Sequence, residues 1–310
     1  MRRPRALRRG DRIALVAPAS AFSRDAFDAG ADELRRLGFE PVYEESVFAR
    51  HHYTAGDAAT RAGAFRRAWA DPSIGALIAV RGGYGSMQLL PLLDRSEIRA
   101  TPKPFVGYSD NTSLLAWLTT GCGVMAFHGP MLEGRLARGD AGYDVETFSR
   151  ALMRCEPMGE ITHPAVEVLA PGETAGLLLG GTLTQLVASL GTPFAFDPPR
   201  GHILFIDEVG ERPYRIDRML TQLRQAGLLA RASGIVFGEL PRCEEPGDAG
   251  PLVRRIIADV LAEFPGPILF GLPSGHTNGA CLTLPLGVRA RLVATGSPAL
   301  VIEEAAVTDA

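Results

Sequence analysis

Four elements that together can cleave an acyl bond are spread along the chain: a serine at a strand-to-helix corner, a loop of three glycines, a histidine in a glycine-rich loop and two adjacent acids at a strand end. Ser109 lies in "FVGYSDNTSLL" (105–115), a short apolar strand followed at once by the start of a helix. Gly107 supplies the first glycine of the G-x-S-x-G nucleophile elbow, and Asn111 stands where the second would be. Helix capping by Ser109 or Asp110 accounts for the same pattern, because either side chain can accept from the free amides of the first turn.

A serine hydroxyl needs a base to become a nucleophile. Of six histidines (His51, His52, His128, His163, His202 and His276), His276 stands out in "GLPSGHTNG", a loop after the apolar run "PILF". His128 in "FHGPM" is its rival. The base in turn needs an acid to orient it and to stabilise the imidazolium. "FIDEVGE" puts Asp207 and Glu208 at the end of an apolar strand. Neighbours on a strand point to opposite faces, so at most one of the two faces His276.

"RGGYGS" (81–86) follows a strand. Gly83 and Gly85 give G-x-G, but Gln88 replaces the third glycine of a dinucleotide fingerprint and no P-loop lysine follows. Backbone without a Cβ at Gly82 and Gly83, flanked by Arg81, lets N–H groups approach a ligand and stabilise an oxyanion. A plain tight turn explains the same glycines.

The surrounding elements alternate. "RIALVAP" reads as a β-rich run, and "SRDAFDAGADELRRLGF" as a helix with Ser23 at its N-cap and Gly38 past its end. "PVYE" is a short strand, "DAATRAGAFRRAWA" a helix, and "SIGALIAV" a strand covered on both faces. A leucine-rich helix, "PFVGY" and "NTSLLAWLTTG" continue the rhythm, which predicts an α/β domain with a mostly parallel sheet. Three prolines interrupt "CEPMGEITHPAVEVLAPGETA". The expected division is an N-terminal α/β domain over 1–155 carrying the nucleophile, a linker over 156–175, and a smaller C-terminal α/β domain with mixed β-structure over 176–310 carrying the acid and base. In that second half "YRIDRMLTQLRQAG" puts Ile216, Met219, Leu220 and Leu223 on one helix face.

With 46% hydrophobic and 22% charged residues, the 310-residue chain has a globular make-up. A net charge of −3 argues against nucleic acid as a partner. Cys122, Cys155, Cys243 and Cys281 have no metal-ligand spacing, and scattered thiols fit a reducing cytoplasm. The arginine-rich start before "RIALVAPASA" superficially resembles a signal peptide, but Asp11 and Arg12 directly precede a very short apolar core, so a buried first strand is expected. No stretch is long and apolar enough to span a bilayer, so no membrane partner is expected.

"RIALVAPAS", "AVRGGYGS", "VGYSDNTSLL", "FHGPM", "LLGGTLTQLVASLGTPF", "ILFIDEVGERPYRIDRMLTQL" and "GLPSGHTNGACLTLPLG" occur in this order over most of the chain. Together they resemble the LD-carboxypeptidase family of serine peptidases, which includes muramoyltetrapeptide carboxypeptidases and microcin-immunity peptidases. The resemblance implies a Ser–Glu–His triad, with Ser109 as nucleophile and His276 as base. It also implies oxyanion donors from the amides of Asp110 and Gly83, with Gly82 and Arg81 in the same binding loop. Many relatives read Glu-Asp where this chain reads Asp207-Glu208; alignment favours Asp207 as the acid and residue type favours Glu208. "GGT" at 180–182 departs from the "GGN" expected, which leaves Thr182 without an assigned role. A site at a domain interface, a homodimer, no metal and no cofactor are likewise implied. The implied reaction releases the terminal D-alanine of a murein tetrapeptide; the alternative substrate is a peptidyl- or aminoacyl-nucleotide conjugate. A non-catalytic nucleotide-binding protein built on "RGGYGS" is the reading from a different class.

Overall fold

The computed structural model describes residues 1–245 and 251–309. Two sheets organise it. The first contains β1 (Arg12–Val16), β2 (Glu40–Val42), β3 (Ile74–Ala79), β4 (Phe105–Gly107) and β5 (Ala126–His128), all mutually parallel. The second contains β6 (Gly159–Ile161), β7 (Glu167–Ala170), β8 (Glu173–Thr182), β9 (His202–Asp207), β10 (Ala232–Phe237) and β11 (Ile268–Phe270). Strand β12 (Leu284–Leu286) then returns to the first sheet, pairing antiparallel with β5, before β13 (Arg289–Val293) and β14 (Ala299–Ile302) complete the second.

The first sheet has the order β12-β5-β4-β3-β1-β2. The chain leaves β1 toward one edge and resumes at β3 on its other side, so a topological switch lies between β1 and β3. The crevice outside the carboxyl ends at such a point is where open α/β sheets bind ligands. The second sheet has the order β6-β14-β13-β8-β9-β10-β11-β7, parallel from β8 to β11 and antiparallel toward both edges. The architecture is thus two α/β units, one mostly parallel and one mixed.

Helices α1 (Arg24–Arg36), α2 (Ala58–Ala70), α3 (Arg95–Ala100), α4 (Thr112–Ala116) and α5 (Val145–Met153) belong to the first unit. The second has α6 (Leu183–Ala188), α7 (Pro213–Gln225) and α8 (Leu252–Val260). Asp57 and Asp144 cap α2 and α5 by accepting from the amides of Thr60 and Thr147. Ser23 holds the N-cap position of α1, but its side chain makes no capping hydrogen bond. The leucine-rich stretch after the glycine loop is only a tight helical turn, Ser86–Leu92, with Pro91 inside it.

Residues 156–175, expected as a linker, hold β6 and β7 and the start of β8. The prolines lie outside the strands: Pro171 directly follows β7, an edge strand where a missing N–H removes no inner ladder bond. The return of β12 likewise means that the first sheet is completed by chain from the second half.

Strand β9 divides the core by its period of two. Ile203 and Phe205 face the large core shared with the first unit, while Leu204 and Ile206 face a second core under α6 and α7. The predicted stripe of α7 (Ile216, Met219, Leu220, Leu223) fills that second core. Burying each such side chain contributes about 2 kcal/mol.

Two histidines are wholly inside this fold. His202 opens β9 and donates from Nδ1 to the carbonyl of Pro199 (2.8 Å), while His128 closes β5. Among the described residues the Nε2 of each is buried without a hydrogen-bond partner, and burial pushes both rings down to about 4. An unfolded chain therefore takes up protons between about pH 6.5 and 4 that the folded chain refuses, so stability is full above pH 6.5 and is lost as pH falls toward 4, by about 3 kcal/mol per ring. In His202→Asn the amide keeps the bond to Pro199 but does not titrate. Thermal melting followed across that pH range should show a flatter decline for this variant; an unchanged slope would remove His202 from the explanation.

Candidate active site

Ser109 is separated from the three-residue strand β4 by Tyr108 alone and has φ of +62°. Holding a non-glycine residue there costs about 1–3 kcal/mol, and such strain persists where the surroundings impose it. The surroundings here are Asn111 and the glycine loop. Asn111 Nδ2 donates to the carbonyls of Arg81 (3.2 Å) and Tyr108 (3.3 Å), fastening the corner to the end of β3. At Gly82 a Cβ would lie 2.8 Å from Ser109 Cβ and 3.0 Å from its Oγ, so only glycine lets the loop pass this close to the hydroxyl.

Asp110 fastens the same two segments from the other side. Its carboxylate accepts from the Ser86 amide (2.8 Å) and its carbonyl accepts from the Ser86 hydroxyl (2.5 Å); burial pushes its carboxyl up from the usual range. The Asp110 amide stands ahead of the first intrahelical hydrogen bond of its turn, where N–H groups are free to meet a ligand. The Gly83 amide donates to no acceptor among the described residues, whereas the next amide, of Tyr84, donates to Ser20 Oγ (3.1 Å). Ser20 in turn donates its amide to the Gly82 carbonyl (3.1 Å), so the loops after β1 and β3 are joined across the switch point. The buried guanidinium of Arg61 donates to the carbonyls of Pro18, Gly56 and Gly85 and ties three loops together. Arg81 points away from the corner, toward the Ala21 carbonyl (3.0 Å) and Glu133 (3.2 Å).

His276 lies in the loop after β11. Its Nδ1 hydrogen-bonds to Asp207 Oδ2 at 2.7 Å, and its backbone amide donates to Asp207 Oδ1 at 3.0 Å. Each carboxylate oxygen therefore holds one group of His276, which fixes loop and ring together. Asp207 is fully buried, while the His276 side chain is 15% exposed. A carboxylate in this position makes Nδ1 the donor, the tautomer in which Nε2 can serve as a general base. Gly275, with φ of +79°, has no room for a side chain: a Cβ would lie 2.6 Å from Asp207 Oδ2.

The alternation of β9 continues through the two acids. Asp207 follows Ile203 and Phe205 toward the first unit and meets His276. Glu208 follows Leu204 and Ile206 toward α6, where its carboxylate accepts from the Thr184 amide (2.8 Å), the Thr184 hydroxyl (2.7 Å) and the Val209 amide (2.9 Å). Burial pushes the Glu208 carboxyl up against these three donors. Glu208 makes no hydrogen bond to His276.

His128 is completely buried under the same carboxylate, with Nε2 at 3.9 Å from Asp207 Oδ2. The Ser274 hydroxyl spends its single proton on the Leu282 carbonyl (2.9 Å), so His128 Nδ1 must donate to Ser274 Oγ (3.1 Å). That leaves the Nε2 lone pair turned to the carboxylate, and no face of the ring reaches solvent. Thr182 supplies what sequence reasoning could not assign: its hydroxyl donates to Asp207 Oδ2 (3.3 Å), and its amide donates to Thr112 Oγ1 (2.9 Å) in the helix that begins just after Ser109. Only the departure from the expected "GGN" signalled Thr182; Thr112 carried no signal, reading as an ordinary first-turn residue.

Ser109, Gly82, Gly83 and Asp110 thus meet at the carboxyl end of the first sheet, and Asp207 with His276 meet at the end of the second. The Tyr108 ring joins the groups, packing edge-to-face on His276 with centroids 5.0 Å apart. Among the described residues no hydrogen bond links Ser109 to His276; catalytic contacts of this kind often tighten only with substrate bound. Asp207→Ala should erase the strongly deshielded ring N–H proton of His276 from the proton NMR spectrum, and Glu208→Gln should keep it. The reverse result would exchange the roles of the two acids.

Family models for the LD-carboxypeptidase N-terminal domain and C-terminal domain match residues 13–129 and 175–292. The chain is 32% identical to the murein tetrapeptide carboxypeptidase of Pseudomonas aeruginosa, over 86% of this chain and 88% of that one. It is also 32% identical to a probable murein peptide carboxypeptidase of Bacillus subtilis, over 94% and 91%. Among solved structures, the microcin C7 self-immunity protein in complex with aspartyl sulfamoyl adenosine superposes with a TM-score of 0.92 at 25% identity, covering 99% of this chain and 100% of that one. Matched in both halves, and related along nearly its whole length to carboxypeptidases of this kind, the chain belongs to the LD-carboxypeptidase family.

Proposed function

We propose that the protein is a serine LD-carboxypeptidase that releases the terminal D-alanine of murein tetrapeptides, using Ser109, His276 and Asp207. The observation that carries this reading is the Asp207–His276 pair, bonded at 2.7 Å, with the His276 ring packed on the ring of Tyr108, the residue directly before the strained Ser109. His276 Nε2 takes the proton of Ser109 Oγ as that oxygen attacks the carbonyl between the L-centre of the diamino acid and D-alanine. The carbonyl oxygen, now negative, accepts from the amides of Asp110 and Gly83, which are fixed before substrate arrives and so need no reorganisation. Asp207 stabilises the imidazolium across the 2.7 Å contact. The imidazolium then protonates the departing D-alanine amine. Water, deprotonated by His276, releases the acyl group by the same steps in reverse order. No metal or cofactor enters this scheme.

The murein substrate is supported by the names of two relatives, the murein tetrapeptide and murein peptide carboxypeptidases. Four cysteines without a disulfide fit the reducing cytoplasm proposed as its place of action, and a homodimer is proposed as its assembly.

A second reading is cleavage of an aminoacyl-nucleotide conjugate, and one observation favours it. Tyr84, next to Gly83, is 50% exposed and packs edge-to-face on Tyr53, itself 62% exposed, at 5.4 Å. Exposed rings beside the glycine loop offer a surface on which a nucleobase can stack.

Purified protein should release D-alanine from a murein tetrapeptide, and Ser109→Ala should lower kcat by at least about 10⁴-fold. Asp207→Asn should cost about 10³–10⁴-fold, and Glu208→Gln should change kcat less than about fivefold. Full D-alanine release by Ser109→Ala would end the mechanism. Turnover of an aminoacyl sulfamoyl adenosine with none of the tetrapeptide would move the assignment to the second reading.

A further inference from the structure

Arg135 lies between the two segments matched by the family models, in a stretch whose sequence, "LEGRLARGD", reads as an exposed loop. In the structure it is 6% exposed. Among the described residues its guanidinium's hydrogen-bond acceptors include no carboxylate; a charge buried this way is retained only when its donors are otherwise met. All five of them are met. Nη2 donates to the carbonyls of Gly275 (2.8 Å) and Thr277 (3.0 Å), and Nη1 to those of Gly279 (2.9 Å) and Gly142 (3.4 Å). Nε donates to the hydroxyl of Tyr108 (3.3 Å).

Three of those acceptors belong to the five-residue segment that carries His276. The two residues between them are held through their amides, His276 by Asp207 and Asn278 by Glu239 Oε2 (2.8 Å). Every residue from Gly275 to Gly279 is therefore pinned, three of them by one side chain. The fifth donor goes to the residue directly before Ser109, and the Tyr108 ring rests on the His276 ring. Burial pushes the Tyr108 phenol up to about 12, so the guanidinium meets it as a neutral hydroxyl whose oxygen accepts and whose proton remains.

We propose that Arg135 is a positioning residue that sets the distance and angle between Ser109 and His276 across the domain interface, by holding the base loop and the nucleophile corner in one planar fork. This rests on the assignment of Ser109 and His276 as nucleophile and base; it does not depend on which peptide is cleaved. Lysine cannot replace it. An ammonium carries three donors on one point, whereas the fork reaches five acceptors in fixed directions.

The test uses the full-length protein with Arg135→Lys, Arg135→Gln and Arg135→Ala. Two rates are read relative to wild type: D-alanine release from the tetrapeptide, and covalent labelling of Ser109 by a fluorophosphonate, which needs the aligned pair but not the natural substrate. A misplacement of about 1 Å costs about a hundredfold in rate. Arg135→Lys should therefore lose about a hundredfold in kcat and in labelling, with KM within about threefold. Free guanidinium, but not ammonium, should restore part of the labelling rate in Arg135→Ala. Arg135→Gln, which gives up the buried charge along with the fork, should fold and still label slowly even if the lysine variant does not fold. Labelling and kcat within threefold of wild type in Arg135→Lys or Arg135→Gln would overturn the proposal, as would a loss confined to KM. A wild-type protein that labels and that releases no D-alanine would sink the murein reading alone, leaving the clamp to be judged on labelling.

Discussion

In the proposed mechanism a hydroxyl carried by one sheet and an imidazole carried by another have to meet with hydrogen-bond accuracy, and among the described residues no strand ladder connects them directly at that point. This requirement shapes the interior. The interface is not left to apolar packing alone, which is non-directional and tolerates small slips. Polar contacts with fixed directions cross it beside the shared apolar core: the Thr182 amide on Thr112, the Ser113 hydroxyl on Gln185, and the Arg135 fork on the His276 loop. Each begins within four residues of Ser109 or ends within three of His276 or Asp207, or lies one residue from a contact that does.

Asp207 shows how such a requirement is met at a buried charge. Removing a carboxylate from water costs several kcal/mol unless donors surround it. Its two oxygens receive the ring N–H and backbone amide of His276 and the hydroxyl of Thr182. Those donors come from the loop after β11 and the end of β8, so neutralising the charge and assembling the site are one event. Glu208, one residue on, is satisfied wholly within its own unit by Thr184 and Val209. The separation follows from the strand period alone, which is why two chemically similar neighbours have such different surroundings.

Much of this was legible in the residues. The alternation of apolar strands and amphipathic helices carried the α/β class, and the α7 stripe appeared where its spacing put it. The opposite facing of Asp207 and Glu208 also followed from spacing, but which of them met His276 did not: that depends on the face β9 turns to the first unit, a matter of sheet packing and not of local pattern. The proline-rich 156–175 stretch misled because short edge strands leave little periodic trace and prolines can sit just beyond their ends. Arg135 was invisible for another reason. A long cationic side chain in a polar loop is ordinarily solvated, and nothing local indicates that five carbonyl and hydroxyl oxygens, two of them over 140 residues away, converge on it.

The return of β12 bears on how the protein is made. On the ribosome, β1 to β5 emerge early and can pair as they appear, but the outer edge of β5 stays open until Leu284–Leu286 has been synthesised. That strand emerges only eight residues after His276. The nascent chain thus carries the Ser109 corner for much of its synthesis without His276, and the strand that closes the serine's own sheet arrives directly behind the His276 loop. Closure of the edge and delivery of the histidine are coupled in time, so a translation product interrupted before them has an unpaired strand and lacks the Asp207–His276 pair.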